Sequence, residues 1–133
     1  MPVSEKPFTV IESPFSAPDI DGLVRNVQYT MLAVRDSLNR DEAPYASHLF
    51  YTQMLDDNNQ DERQLGMDAG LTICHHAEQT AVYTDYGTSR GMQYGIETAK
   101  SAGRRVVERR LFPNASSPEE VTALMLEEYA KQY

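Results

Sequence analysis

Residues 80–99 read TAVYTDYGTSRGMQYGIETA, an apolar and β-branched run followed by a turn and then an amphipathic segment. The first part, residues 80–85, is typical of a buried strand. The turn contains glycine and serine, and Met92, Ile96 and Ala99 then recur with the spacing of one helix face. This segment predicts a strand that leads through a short turn into a helix, which is the repeating unit of α/β proteins.

The same unit recurs along the rest of the chain. Further strands are predicted at residues 7–13, 43–48 and 104–111, and further helices after Asp19 or Asp21, over 61–76 and over about 117–133. The polar run DDNNQDE predicts a loop within residues 49–62. Strands that alternate with helices predict a mainly parallel sheet of four to five strands. We therefore expect a single Rossmann-like domain over residues 1–133, a three-layer sandwich with flavodoxin-like strand order.

Composition excludes several classes of protein. The 133 residues are 41% hydrophobic and 24% charged, which is ordinary for a globular chain and excludes a disordered one. No apolar run approaches the length of a membrane span, and the first ten residues lack a secretory signal. The single Cys74 is compatible with a reducing cytoplasm, and the net charge of −8 argues against binding bulk nucleic acid.

Positive charge is concentrated in one part of this acidic chain. Residues 86–110 contain six basic and two acidic side chains, whereas residues 36–85 contain two basic and ten acidic ones. The basic segment can hold a small anion. A solvated helix face followed by an edge strand explains the same pattern, and the sequence leaves both readings open.

Three turns are candidates for a ligand site, because parallel α/β sheets bind ligands at the carboxyl ends of their strands. They are residues 13–16, His48 and residues 85–91. In the third turn, Asp85 can accept hydrogen bonds from sugar hydroxyls. Ser89 and the backbone N–H groups that follow it can donate to phosphate. An ordinary βα turn with a helix cap is the alternative.

Four short motifs in this order resemble the nucleoside 2-deoxyribosyltransferase-like superfamily, in particular its small phage and bacterial members. The resemblance extends from about residue 8 to residue 111. The motifs are Ser13-Pro14-Phe15-Ser16, Asn26-Val27, Ser47-His48-Leu49 and Ser89-Arg90-Gly91-Met92.

The resemblance implies a nucleotide-like ligand. At the position where the family has its catalytic carboxylate, however, this chain has no carboxylate. Active members break or exchange the N-glycosidic bond with a carboxylate at the fourth residue after the motif glycine. That position is Gly95 here. Glu97 lies about 200° further around the helix and serves as the carboxylate only if the helix starts differently. Gly95 either enlarges the pocket or permits close packing of the helix on the sheet, and no catalytic residue is assigned.

The predicted ligand-binding residues follow from these turns and motifs. Arg25 and Arg90 are the candidate phosphate partners, and His48 is expected to donate to phosphate or to stack on a base. Each of the three has a purely structural alternative, as a solvated arginine or a backbone-bonded histidine. The full set is Ser13, Pro14, Phe15, Ser16, Arg25, Asn26, His48, Asp85, Ser89, Arg90, Gly91 and Met92.

Two functions follow as expectations. The first is a binding protein that holds a nucleotide-derived small molecule without cleaving it. The phage relatives suggest a sponge in the host cytoplasm for an immune signal, such as a cyclic nucleotide or cyclic ADP-ribose. The alternative is an N-glycosidase or deoxyribosyltransferase that acts on nucleoside 5′-monophosphates.

We expect no metal ion and no other cofactor. Adjacent helical residues such as Cys74, His75 and His76 point in different directions, and no second cluster completes four ligands.

We also expect a homo-oligomer. Eight tyrosines and six methionines suit a subunit interface, and we expect the pockets to lie near it. The apolar stripe of the last helix can cover the sheet or dock on a neighbour. It consists of Val121, Leu124, Met125 and Tyr129.

Overall fold

Four strands alternate with four α-helices in the computed structural model, which describes residues 5–132. Residues 1–4 and Tyr133, which the predicted domain and last helix included, lie outside the described residues. The strands are β1 (Phe8–Glu12), β2 (Ala43–Tyr45), β3 (Gln79–Tyr83) and β4 (Arg105–Arg109). The helices are α1 (Ile20–Asn39), α2 (Gln60–Cys74), α3 (Arg90–Ser101) and α4 (Pro118–Gln132).

The sheet is parallel throughout and has the strand order β2-β1-β3-β4. Strand β1 is central, since Val10 is aligned with Tyr45 of β2 and with Thr80 of β3. Helices α1 and α4 pack together on one face, and α3 covers the other. The predicted α/β fold, a Rossmann-like three-layer sandwich, is confirmed.

Helix α1 begins after Asp19, whose side chain accepts a hydrogen bond from the Gly22 N–H. The apolar stripe that predicted this helix is only partly its buried face, because Leu38 is 53% exposed. Polar side chains take several fully buried positions instead, since each finds a hydrogen-bond partner in the surrounding structure. Thr30, for example, bonds to Ser13, and Ser37 donates to Glu42.

The second strand is shorter than the sequence predicts. Strand β2 ends at Tyr45, and the chain then forms two 3₁₀ turns, Ser47–Leu49 and Tyr51–Gln53. The Leu49 N–H bonds back to the Ala46 carbonyl, which curls the backbone away from the sheet edge. The prediction that His48 closes the strand is therefore wrong, and His48 lies in the first turn.

Helix α4 uses its apolar stripe inside the chain. Val121 and Met125 are fully buried, and Met125 belongs to the core cluster with Tyr29 of α1. Tyr129 packs against the same cluster. This stripe is therefore not an exposed docking face, and the homo-oligomer stays a prediction. Within residues 5–132, no helix combines the length and apolar character needed to span a membrane.

A buried ion pair links the start of β2 to the end of β4. The Arg109 guanidinium donates two hydrogen bonds to the Glu42 carboxylate, at 2.6 and 2.8 Å. Ser37 and Gln79 donate to the same carboxylate. The bonds from Arg109, helped by these two neighbours, lower the pKa of Glu42 from 4.5 to about 2 despite burial.

Acid is expected to destabilise the fold through this carboxylate. Because its folded-state pKa is depressed, ionised Glu42 stabilises the protein above pH 4.5, and that contribution is lost as the pH falls to about 2. The loss from this group is on the order of 3 kcal/mol in the free energy of unfolding, measured by urea denaturation. Glu42→Gln should be less stable at neutral pH and should lose less on acidification. Equal losses for the native protein and the variant would contradict the assignment.

Candidate functional site

A pocket of about 250 Å³ opens where β1 and β3 end, between the start of α3, the 3₁₀ turns and helix α2. The position follows from the parallel sheet, because the turns after neighbouring strands meet at one edge. Seven of the twelve predicted binding residues line it. They are Ser13, Phe15, Ser16, His48, Ser89, Gly91 and Met92.

One end of the pocket suits an anion. Ser89 caps α3 by accepting a hydrogen bond from the Met92 N–H, which leaves the N–H groups of Arg90 and Gly91 at the head of the helix. Gly91 has no side chain and nothing within 4 Å of where one would begin, so a ligand can approach the backbone. The positive end of the helix dipole adds to the attraction for a phosphate.

A pair of stacked rings forms part of the pocket wall. The rings of Phe15 and His48 lie nearly parallel, with their centroids 4.9 Å apart and an interplanar angle of 13°. Burial lowers the pKa of His48, so the imidazole is neutral at neutral pH. The neighbouring lining is also largely apolar and includes Leu55, Met67 and Leu71. This wall can accept the flat face of a nucleobase.

Two of the remaining predicted residues position the pocket from behind. Pro14 is buried, and it lies between two lining residues. The Asn26 side-chain amide donates to the carbonyl of Phe15 at 2.8 Å and, more weakly, to that of Ser16 at 3.4 Å. Asn26 thus fixes the turn after β1 without facing the pocket.

The two predicted phosphate-binding arginines lie outside the pocket. Arg25 donates to Asn26 and lies over the Tyr86 ring, 4.4 Å from its centroid, beside a separate surface groove. Arg90 is exposed and does not line the pocket. The basic side chain that lines it is Arg63 of α2, which sequence reasoning did not select. The pattern that could have identified Arg63 is its spacing from Gly66 and Gly70, which places all three residues near one face of the helix.

Asp85 is engaged inside the protein. Its carboxylate accepts hydrogen bonds from the Tyr29 hydroxyl and from the backbone N–H groups of Leu111 and Phe112, the latter two at 2.8 Å. It is buried and does not line the pocket. Asp85 therefore ties the segment after β4 to α1, and the predicted role of its carboxylate as an acceptor for sugar hydroxyls does not fit this position.

Glu12, which the sequence analysis overlooked, places a carboxylate in the pocket. It is the last residue of β1, and its side chain lies against the backbone of α3 at Gly95. A Cβ atom on residue 95 would overlap this carboxyl group. Burial raises the pKa of Glu12 from 4.5 to about 7, and the nearby Arg104 partly offsets the effect. Glu97, in contrast, is exposed and bonds to Gln93 outside the pocket.

The sequence did hold a signal for Glu12. A charged residue closes the otherwise apolar strand FTVIE, directly before the first predicted turn. Because side chains alternate along a strand, Glu12 must point to the opposite face from Ile11, which packs in the core with α1. Glu12 therefore belongs to the face that α3 covers.

Most of the chain matches the model of a protein family. The model of a family described as a domain of unknown function (DUF7768) matches residues 7–109. The chain belongs to this family. The region shared with the family includes all four strands and every residue that lines the pocket, whereas α4 lies beyond it. A search of the curated proteins finds no match.

Residues with metal-binding chemistry do not converge in the described part of the chain. Residues 5–132 contain no group of three or more His, Cys, Asp and Glu side chains that could hold a metal ion. Cys74 lines the pocket, while His75 and His76 are exposed. Burial raises the pKa of the Cys74 thiol to about 11, which keeps it protonated at neutral pH.

Gly95→Ala is expected to displace the Glu12 carboxyl while the fold is kept. The new Cβ meets the end of a flexible side chain, and alanine favours the helix by about 1 kcal/mol over glycine. Once Glu12 turns toward water, its pKa should fall from about 7 toward 4.5. NMR titration of labelled glutamate carboxyls measures this shift.

Gly91→Ala is the matched control, because a Cβ atom there meets nothing within 4 Å. In this variant the pKa of Glu12 should stay where it is in the native protein. An unchanged Glu12 pKa in Gly95→Ala, with urea denaturation showing an intact fold, would contradict the described contact.

Proposed function

We propose that this protein binds a nucleotide-derived small molecule in the pocket. Its phosphate would lie at the start of α3, and its base would lie against the rings of Phe15 and His48. The observation that carries the proposal is the meeting of an anion-binding helix end and a flat ring surface in one cavity. Arg63 of α2 lines the same pocket and adds a positively charged side chain to it.

The resemblance to the nucleoside 2-deoxyribosyltransferase-like superfamily supports the same ligand class. Three of its four motifs, at residues 13–16, 47–49 and 89–92, contribute lining residues. They come from turns far apart in the sequence, so their meeting at one site is consistent with a shared binding role.

Binding without cleavage is the form of this function that we favour. No carboxylate projects from α3 at residue 95, and Glu97 points away from the pocket. The cavity, at about 250 Å³, lies just below the range of roughly 300–1,000 Å³ for drug-sized ligands. That size is compatible with a mononucleotide, linear or cyclic. A sponge for a cyclic mononucleotide signal in a host cytoplasm is the corresponding biological role.

One observation favours the second candidate, cleavage of nucleoside 5′-monophosphates. The Glu12 carboxyl occupies the space that a side chain on residue 95 would fill. The pocket therefore contains a carboxylate that comes from the strand instead of from the helix. In this case Glu12 would be the group that faces the anomeric carbon.

Incubation with nucleoside 5′-monophosphates and cyclic mononucleotides tests both candidates. Ligand at 100 times its Kd adds about 2.7 kcal/mol of stability and should raise the Tm by roughly 5–10 °C. Chromatography of the same samples should show intact ligand. Free base that appears with the native protein, but not with Glu12→Gln, would instead establish cleavage.

Two arginine variants make this test specific for the pocket. Arg63→Ala should lower the affinity by roughly tenfold, because it removes a charged partner of the phosphate. Arg35→Ala, which removes the same charge from an exposed position on α1, should leave the affinity unchanged. Absence of any Tm rise across the panel, or equal effects of the two variants, would contradict the proposal.

A further inference from the structure

We propose that Glu12 selects ligands with a vicinal diol, so that the pocket takes ribonucleoside 5′-phosphates in preference to their 2′-deoxy counterparts. This inference rests on the proposed function, because it assigns one wall of the same pocket to the sugar. It adds a specificity-determining residue and narrows the ligand class.

The Glu12 carboxyl lacks the donors that the other inward-facing carboxylates have. Glu42 is bonded by Arg109, Ser37 and Gln79, and Asp85 by three donors of its own chain. Among residues 5–132, no side chain or backbone group donates a hydrogen bond to the Glu12 carboxyl group. Its oxygens face the pocket, where the hydroxyl groups of a bound ligand can supply these donors in place of water.

The point at which the Glu12 carboxyl contacts α3 indicates that it would meet the sugar of a bound nucleotide. Gly91 lies at the head of the helix, and Gly95, against which the carboxyl rests, lies one turn further on. Four residues of helix correspond to about 6 Å. A phosphate at the head of the helix places its own ribose at about this distance, whereas the base lies further away.

The chemistry of the two groups is complementary. An ionised carboxylate accepts hydrogen bonds at both oxygens, and the 2′- and 3′-hydroxyls of ribose present two donors side by side. A 2′-deoxyribose presents one donor and leaves the second oxygen unpaired away from bulk water. One lost charge-assisted hydrogen bond corresponds to roughly a tenfold or greater loss of affinity.

Proton release on binding gives this interaction a second signature. Burial raises the pKa of Glu12 to about 7, and the donors of a diol favour the ionised form. Ligand binding should therefore lower this pKa, so that affinity is highest above pH 7 and falls as the pH decreases through 7. The titratable and charged groups that surround Glu12 or the pocket are Arg104, Cys74, His48, Asp57, Glu62, Arg63, Tyr51 and Tyr94.

The ligand phosphate itself titrates near pH 6, so the contribution of Glu12 has to be obtained by difference. Calorimetry is therefore run at pH 6 and pH 8 on the native protein and on Glu12→Gln. The ligands are the adenosine, guanosine and cytidine 5′-monophosphates and their 2′-deoxy forms. Glu97→Gln, an exposed carboxylate on α3, is the matched control.

We expect the native protein and Glu97→Gln to prefer the ribose form by roughly tenfold at pH 8 and by less at pH 6. Glu12→Gln should bind both sugar forms with similar affinity at both pH values. Gly95→Ala should lose the preference as well, because it displaces the carboxyl without changing Glu12 itself. This second variant keeps the test open if Glu12→Gln does not fold.

Two different failures can be distinguished. Equal binding of ribose and deoxyribose forms by the native protein would overturn this inference, and so would a preference that survives in both Glu12→Gln and Gly95→Ala. Either result leaves the proposed binding function standing, because the nucleotides still bind. Binding of none of the six nucleotides would overturn the proposed function and this inference together.

Discussion

The central position of strand β1 is the constraint on which the rest of the structure depends. Hydrogen bonds join it to the parallel strands β2 on one side and β3 on the other. The chain must therefore leave β1 and β3 at the same edge of the sheet, which brings the turn at residues 13–16 beside the start of α3. The topology therefore brings the capped start of α3 together with the two serines of that turn, Ser13 and Ser16.

A glycine on α3 then determines what the pocket contains. Because Gly95 has no side chain, the carboxyl of Glu12 can lie directly against the helix backbone. The fold provides internal donors for Glu42 and Asp85, so those carboxylates stabilise the protein. Glu12 is left without such donors and carries a raised pKa. This difference separates a group available to a ligand from groups that serve the fold.

The sequence predicted features that arise from local patterns. The βα order, a helix start at Asp19 or Asp21 and the last helix all follow from periodicity and capping chemistry, and the structure begins the first helix after Asp19. It failed where the partner of a residue is distant in the chain. Asp85 is held by backbone N–H groups after β4, and Glu12 faces a helix that begins far downstream, so neither role is visible in a local pattern. The length of β2 was also overestimated, because the turn at Ser47–Leu49 has no strong breaker residue.

A crystal structure of the protein with a bound ribonucleoside 5′-monophosphate tests the central claim most directly. The account predicts that the phosphate accepts hydrogen bonds from the N–H groups of Arg90 and Gly91. It also predicts that the two ribose hydroxyls lie within hydrogen-bond distance of the Glu12 carboxylate, with Gly95 behind it. A phosphate bound at Arg25, or a sugar placed away from Glu12, would contradict it.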